Sequence, residues 1–162
     1  MKLHLMLFLC VAVCSFTGKE VAGKGPLVYF KASLPKDSNP ASSKSYHFGV
    51  GNIIPFSSVE ANIGRGYNPS SGVFTVPVSG YYQFRALLQT TRAGHSDFEL
   101  VAQGSRKAFV TVPSVHDSTT MSATFHVNRG DHVFVKKFYD NGNAPLRHGL
   151  WSQFSGFLLR KD

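Results

Sequence analysis

Apolar and polar positions alternate most clearly in residues 56–86, FSSVEANIGRGYNPSSGVFTVPVSGYYQFRA. Residues 56–72 predict a turn-rich lead-in, residues 73–78 predict a short strand, and residues 81–89 predict a longer strand after Ser79-Gly80. The apolar face of the longer strand consists of Tyr82, Phe84, Ala86 and Leu88. A period of two with one apolar face is typical of half-buried antiparallel strands. The rest of the chain is therefore expected to supply partners for that face.

The same period predicts short strands through the rest of the chain. They span residues 27–33, 46–50, 98–103, 108–112, 121–127, 132–139 and 150–160, with a small one near Ile53. The Gln103-Gly104-Ser105 turn predicts a hairpin between two of them. Asn128-Arg129-Gly130-Asp131 predicts a tight turn in which Gly supplies a positive φ. About ten short strands without helical periodicity predict an all-β fold, a β-sandwich or jelly roll.

The last predicted strand is apolar on both faces. Phe154, Gly156 and Leu158 form one face, and Trp151, Phe157 and Leu159 form the other. A strand that is apolar on both sides is usually buried on both sides. In a two-sheet sandwich only one face meets the other sheet, so the second face predicts a covering loop or another copy of the chain.

The N-terminal residues predict secretion. Lys2 precedes a short apolar run, LHLMLFLCVAV, and small residues follow, which is the pattern of a signal peptide. The run is too short to span a bilayer. We assign residues 1–18 to the signal peptide, with cleavage left open between residues 15 and 22, residues 19–25 to a short flexible lead and residues 26–162 to one domain. No second long apolar run predicts a membrane span.

Cysteine content indicates whether the mature chain has disulfides, and net charge indicates the class of partner. Both cysteines, Cys10 and Cys14, lie in the predicted leader, so the mature chain is expected to lack disulfides. The formal net charge of the whole chain is +8, and the leader contributes only Lys2 to it. A basic secreted protein is attracted to anionic surfaces such as lipopolysaccharide, sulfated glycans or phospholipid. The predicted secretion disfavours nucleic acid as a partner.

The spacing of apolar residues and glycines resembles that of a known family. The signature residues are Phe56, Asn62, Tyr67, Phe74, Gly80, Tyr82 and Phe84. Their spacing is similar to the signature of the complement C1q globular-head domain, although Ala86 stands where that signature ends on an aromatic residue. VYFKAS in the first strand, Gly130-Asp131-His132-Val133 and FSGFLL at residues 154–159 resemble flanking features of the family. The resemblance covers residues 26–160.

The resemblance implies a ten-stranded jelly roll of two five-stranded sheets, similar to tumour necrosis factor. It also implies a homotrimer with the first and last strands near the three-fold axis, in agreement with the doubly apolar last strand. No Gly-X-Y repeat precedes the domain. The chain is therefore identified as a head-only member without a collagen stalk.

Motifs for catalysis are not found in the sequence. There is no G-x-S-x-G elbow, no H-E-x-x-H and no Walker loop, so a non-enzymatic protein is predicted. If residues 128–131 close a hairpin, His126 and His132 project to opposite faces, which disfavours a histidine metal site. Some members of the resembling family bind calcium, for which Asp117, Asp131 and Asp140 are available. No calcium ligands are assigned, and no other cofactor is predicted.

Candidate binding residues lie in the predicted loops. The cations expected there are Lys36, Lys44, Arg65, Arg92, Arg106, Lys107 and Arg147. Arg129-Gly130-Asp131 spells a cell-attachment tripeptide, but the turn already accounts for its Gly and Asp.

The sequence leaves three functions open. The first is a trimeric innate-immune recognition protein that binds anionic microbial or extracellular surfaces. The second is a cytokine-like or synaptic-organiser-like ligand for a cell-surface receptor. The third is a component of an extracellular or mineralised matrix.

Overall fold

The computed structural model describes residues 25–38, 44–113, 117–139 and 142–162, so the predicted signal peptide lies outside the described residues. The described residues form twelve strands and no helix. The strands are β1 (Tyr29–Leu34), β2 (Ser45–Tyr46), β3 (Ser58–Ile63), β4 (Tyr67–Asn68), β5 (Val73–Thr75), β6 (Gly80–Gln89), β7 (Ser96–Ala102), β8 (Ser105–Val112), β9 (Ser118–Val127), β10 (His132–Tyr139), β11 (Leu146–Arg147) and β12 (Gly149–Lys161).

Ten of these strands form two antiparallel five-stranded sheets. Sheet I has the order β3-β1-β12-β6-β9, and sheet II has the order β4-β5-β10-β7-β8. The short β2 and β11 pair separately with each other. The predicted all-β jelly roll of two antiparallel sheets is thereby confirmed.

The aromatic core lies between the two sheets. Phe30 stacks on Phe74 with ring centroids 4.8 Å apart and meets Phe154 edge-on at 4.9 Å. Phe84 packs against the same group and is fully buried. Gly156 admits these rings, because a Cβ at this position would lie 2.5 Å from the Phe84 ring and 2.7 Å from the Phe30 ring. Any side chain at position 156 of strand β12 would therefore overlap the core rings.

The predicted turn-rich lead-in is wrong for residues 58–63. These residues form strand β3 at one edge of sheet I. The edge strand pairs only with β1 and is mostly exposed, so it lacks the apolar face that identifies a strand in sequence. Asn62 closes the following turn with its side chain. Its Nδ2 donates to the Tyr67 carbonyl at 2.8 Å, and its Oδ1 accepts from the Tyr67 amide at 3.1 Å.

Turns at two places test the predicted hairpins. The β7–β8 hairpin is confirmed, and its turn residues Gln103 and Gly104 have φ of 52° and 68°. Asn128–Asp131, by contrast, does not close a hairpin, because β9 lies in sheet I and β10 lies in sheet II. This turn instead carries the chain from one sheet to the other. His126 and His132 therefore do not belong to one hairpin, and their predicted projection to opposite faces of it is wrong.

The strand register gives the sandwich two distinct ends. At the terminal end, Tyr29 at the start of β1 pairs with Phe157 near the end of β12, and residues 64–66 and 128–131 form turns. At the distal end, Gln89 pairs with Ser118, and β2 and β11 form their ladder. Every candidate binding residue can be assigned to one of these ends.

Candidate recognition surface

The predicted cations divide between the two ends of the sandwich. The distal end holds Lys36, Lys44, Arg92 and Arg147, and the terminal end holds Arg65, Arg106 and Lys107, together with Arg129 of the cell-attachment tripeptide. They therefore do not form a single patch. Arg106 and Lys107 also correct the loop assignment, since the two-residue turn before them lets β8 begin at Ser105. Arg147 likewise belongs to β11, where it pairs with Ser45.

Arg106 is part of a structural cluster on the outer face of sheet II. Its Nε lies 2.5 Å from Glu99 Oε2, and Lys136 Nζ lies 3.0 Å from Glu99 Oε1. The guanidinium also stacks over the Phe138 ring at 3.8 Å. Burial alone would raise the pKa of Glu99, but the contacts with both cations outweigh burial and hold that pKa below its ordinary value. These contacts engage Arg106 within the fold, while its role in ligand binding stays a prediction.

Arg147 is held at the centre of the distal end. Its Nη1 donates to Gln89 Oε1 at 3.0 Å, and its guanidinium lies 4.5 Å from the Trp151 ring centre. Lys44 lies beside it on the β2 side, with Nζ 5.7 Å from the ring centre of Tyr46. Aromatic rings attract cations through their negative faces. The cations are thus positioned by rings that are themselves near the surface.

A depression of about 390 Å³ opens next to these cations. It is lined by Lys36, Asp37, His148, Gly149, Leu150 and Trp151. Leu150 and Trp151 are about half exposed, at 48 % and 47 %. Among the described residues, the buried Nδ1 of His148 has no hydrogen-bond partner. An apolar wall bordered by cations suits a ligand that carries both anionic and apolar groups.

Sequence reasoning missed Leu150 and Trp151 as surface residues. Both belong to the predicted last strand, where alternation placed Trp151 on a buried face. The available signal was local, because Arg147 and His148 precede the pair with only Gly149 between them. A tryptophan beside cations at the start of a strand is as consistent with a surface as with a core.

The cell-attachment tripeptide lies in the turn between the sheets. Asp131 Oδ2 accepts hydrogen bonds from the Asn128 amide at 2.8 Å and from Gln103 Nε2 at 2.9 Å. These two hydrogen bonds, with the Asn128 amide contributing most, lower the pKa of Asp131. The Arg129 amide donates to Ser79 Oγ at 2.9 Å, and Gly130 has a φ of 92°. The three residues thus serve the turn, and cell attachment through them stays a prediction.

Histidine and carboxylate groups are dispersed over the described residues. Within this part of the chain, no group of three or more His, Cys, Asp or Glu side chains is arranged to hold a metal ion. His126 Nε2 lies 3.0 Å from Asp162. Asp140, one of the acids considered for calcium, lies outside the described residues. The possibility of calcium binding therefore stays a prediction without assigned ligands.

The outer face of sheet I carries exposed apolar side chains. Strand β12 buries Phe154 as predicted, but Phe157 is 39 % and Leu159 52 % exposed in the single chain. Tyr81 on β6 and Ile63 on β3 add to the same face, at 51 % and 45 % exposed. Several large apolar residues on one sheet face are typical of a subunit interface. None of the described residues forms a helix long and apolar enough to cross a membrane.

Comparison with protein families identifies the fold family. The C1q domain model matches residues 38–159. The chain belongs to the C1q domain family. The resemblance found in the sequence is thereby confirmed. Proteins of this C1q/TNF-like family are generally non-enzymatic recognition or ligand proteins.

Two individual relatives are similar to this chain over most of its length. The heavy metal-binding protein HIP of Mytilus edulis is 26 % identical over 134 residues, which cover 81 % of this chain and 63 % of the relative. Human complement C1q tumor necrosis factor-related protein 3 is 33 % identical over 129 residues, covering 73 % of this chain and 49 % of the relative. The chain thus spans less than two thirds of the length of each.

Solved structures show the same fold. The globular domain of zebrafish complement 1qA superposes with a TM-score of 0.63 at 16 % identity, covering 83 % of this chain and 99 % of that domain. The Eiger TNF of S. frugiperda superposes with a TM-score of 0.61 at 9 % identity, covering 85 % of this chain and 96 % of that structure.

Proposed function

We propose that this C1q-domain protein is a secreted, non-enzymatic recognition protein. It assembles as a homotrimer and binds anionic microbial or extracellular surfaces in innate-immune recognition. The observation that carries the proposal is the distal end, where Lys36 lines the depression and Arg147 packs against the Trp151 ring that forms its wall. Cations beside an exposed apolar wall suit a surface that displays phosphate or carboxylate groups over apolar material.

Assembly would strengthen weak individual contacts. An exposed cation contributes little to binding in water, about 1 kcal/mol for each basic residue near an anionic surface. Three linked copies of the distal end convert the second and third contacts into intramolecular events. The exposed apolar residues of sheet I support such an assembly, and trimers are known among C1q/TNF-like homologues.

The single tryptophan of the sequence permits a direct test. We expect Trp151 emission to shift to shorter wavelength when the protein binds phosphatidylcholine vesicles that contain phosphatidylglycerol, and not when it is mixed with phosphatidylcholine alone. Lipopolysaccharide should give the same shift. Because surface charges are screened over about 8 Å at physiological ionic strength, high salt should reverse the binding.

Matched variants identify which end of the sandwich binds the anionic surface. The double variant Lys36→Gln/Arg147→Gln should bind at least roughly thirtyfold more weakly, from about 1 kcal/mol for each of the two cations lost per subunit. The control Arg65→Gln/Arg129→Gln removes the same charge at the terminal end and should bind as wild type. Equal loss in both variants, or binding that resists salt, would contradict the proposal. Saturable, salt-resistant binding to a cell-surface protein would instead favour the receptor-ligand function.

A further inference from the structure

The outer face of sheet I contains a hollow near its middle. One part, of about 270 Å³, is lined by Lys31, Arg85, Leu87, Gln153 and Ser155. A second part, of about 440 Å³, shares Arg85 and Ser155 and adds hydroxyl and amide groups from Gln83, Thr120 and Ser122 together with the rings of Tyr29 and Phe157. Arg85 lies between the two parts, flanked across the sheet by Ser155 and Ser122.

Arg85 lacks a counter-charge within the described chain. Its guanidinium forms no hydrogen bond or ion pair with any described residue. The neighbouring cation differs, because Lys31 Nζ lies 2.7 Å from Glu60 Oε2. At the edge of the face, Asp162 already pairs with His126. The carboxylates of Glu60 and Asp162 are therefore engaged by other side chains.

The face departs from the usual order of a subunit interface. Such interfaces normally have an apolar centre and a polar rim. Here the exposed Tyr81 and Leu159 lie toward the terminal end, Phe157 borders the hollow, and the polar groups around Arg85 lie nearer the middle of the face. Copies that pack through these apolar residues would close the hollow and remove Arg85 from bulk water. A buried charge without a partner is strongly unfavourable.

We propose that assembly closes this hollow around an oxoanion of the phosphate or sulfate class, bound by Arg85. The inference rests on the proposed homotrimer, since the open face of a single chain leaves the anion exposed to water. The planar guanidinium matches two oxygens of such an anion. The hydroxyl groups of Ser122 and Ser155 and the amide of Gln153 supply further donors. The anion thereby neutralises the cation that the interface would otherwise bury.

Thermal unfolding and sedimentation of the full mature chain test the proposal. Sodium sulfate or inorganic phosphate is exchanged for sodium chloride at constant ionic strength. The oxoanion should lower the trimer dissociation constant roughly tenfold and raise the unfolding midpoint, as expected for a ligand of the assembled state. Arg85→Gln should retain only the general effect of these salts, whereas Arg65→Gln should respond as wild type. Arg85→Lys keeps the charge, and its oxoanion response should be weaker than that of wild type. This variant also tests the site if Arg85→Gln does not fold.

The outcomes separate the site from the assembly on which it rests. A chain that sediments as a monomer under all conditions would overturn both. A stable trimer whose oxoanion response is the same in wild type, Arg85→Gln and Arg65→Gln would overturn only the anion site. Leu159→Asp, designed to prevent assembly, should lose the specific response together with the trimer.

Discussion

Glu99 shows how a single side chain organises the outer face of sheet II. It is 5 % exposed on strand β7, which lies between β10 and β8, and it binds Arg106 of β8 and Lys136 of β10. The carboxylate thus joins three neighbouring strands. Because both cations are partly exposed, their own hydration survives, and the carboxylate is the group that depends most on the contacts.

Glu99→Gln should make the protein less stable near neutral pH, by about 1–3 kcal/mol, since a buried charged hydrogen bond is lost. The folded pKa of Glu99 is below its ordinary value of 4.5, so the ionised group stabilises the fold above that pH. This contribution disappears as the pH falls through the folded pKa. Urea unfolding as a function of pH should therefore show a smaller loss of stability on acidification in Glu99→Gln than in wild type.

Glu60→Gln is the matched control for this prediction. Glu60 also pairs with a lysine, but its side chain is 60 % exposed. Exposed pairs contribute little because water screens them. A pH profile for Glu60→Gln that matches the profile for Glu99→Gln would contradict the importance assigned to burial.

At the scale of elements, the sequence predicts strands that have one clean apolar face. Strand β6 was predicted from its alternation, and its Tyr82 and Phe84 are fully buried as expected. Strand β3 was missed because an edge strand with exposed residues shows no such face. The turn at 128–131 was placed correctly, but its crossing between sheets depends on pairings made by distant strands.

The distal site was only partly predictable for the same reason. Lys36 and Arg147 were selected as cations, but sequence could not bring them together with Trp151. That proximity follows from the pairing of Leu34 with Gly149, at a register shift after Ser33. A shift of this kind has no periodic signature, so the depression emerges only from the folded chain.

Gly156→Ala tests how strand β12 fits the core. The added methyl group would overlap the rings of Phe30 and Phe84, both fully buried, so neither can move into solvent. Overpacking of this kind costs about 1–3 kcal/mol, and we expect a loss in this range in urea unfolding. Gly25→Ala, where nothing lies within 4 Å of the added atom, should leave stability unchanged. Equal stability of both variants would show that the rings can rearrange.

At the scale of the molecule, we propose that the exposed apolar face of sheet I serves assembly and that the distal cations serve binding. Leu159→Asp should yield a folded monomer whose binding to anionic vesicles is weaker by about 10²–10⁴-fold, because avidity is lost while the distal residues are unchanged. Val50→Asp, a charge change at a residue that is 51 % exposed and outside sheet I, should keep the trimer and its binding. Sedimentation and vesicle co-flotation measure the two properties. A monomer that binds as tightly as the trimer would separate recognition from assembly.

The terminal end gathers both ends of the described chain, since the Leu158 amide bonds to the Val28 carbonyl and the Asp162 amide to the Ser79 carbonyl. The depression beside Trp151 lies at the opposite end. A tag, a fusion partner or a solid support attached at residue 162 would therefore present the depression outward. An oriented layer of the protein on a biosensor surface should capture anionic particles without any engineered spacer, whereas attachment through the 142–148 segment would block them.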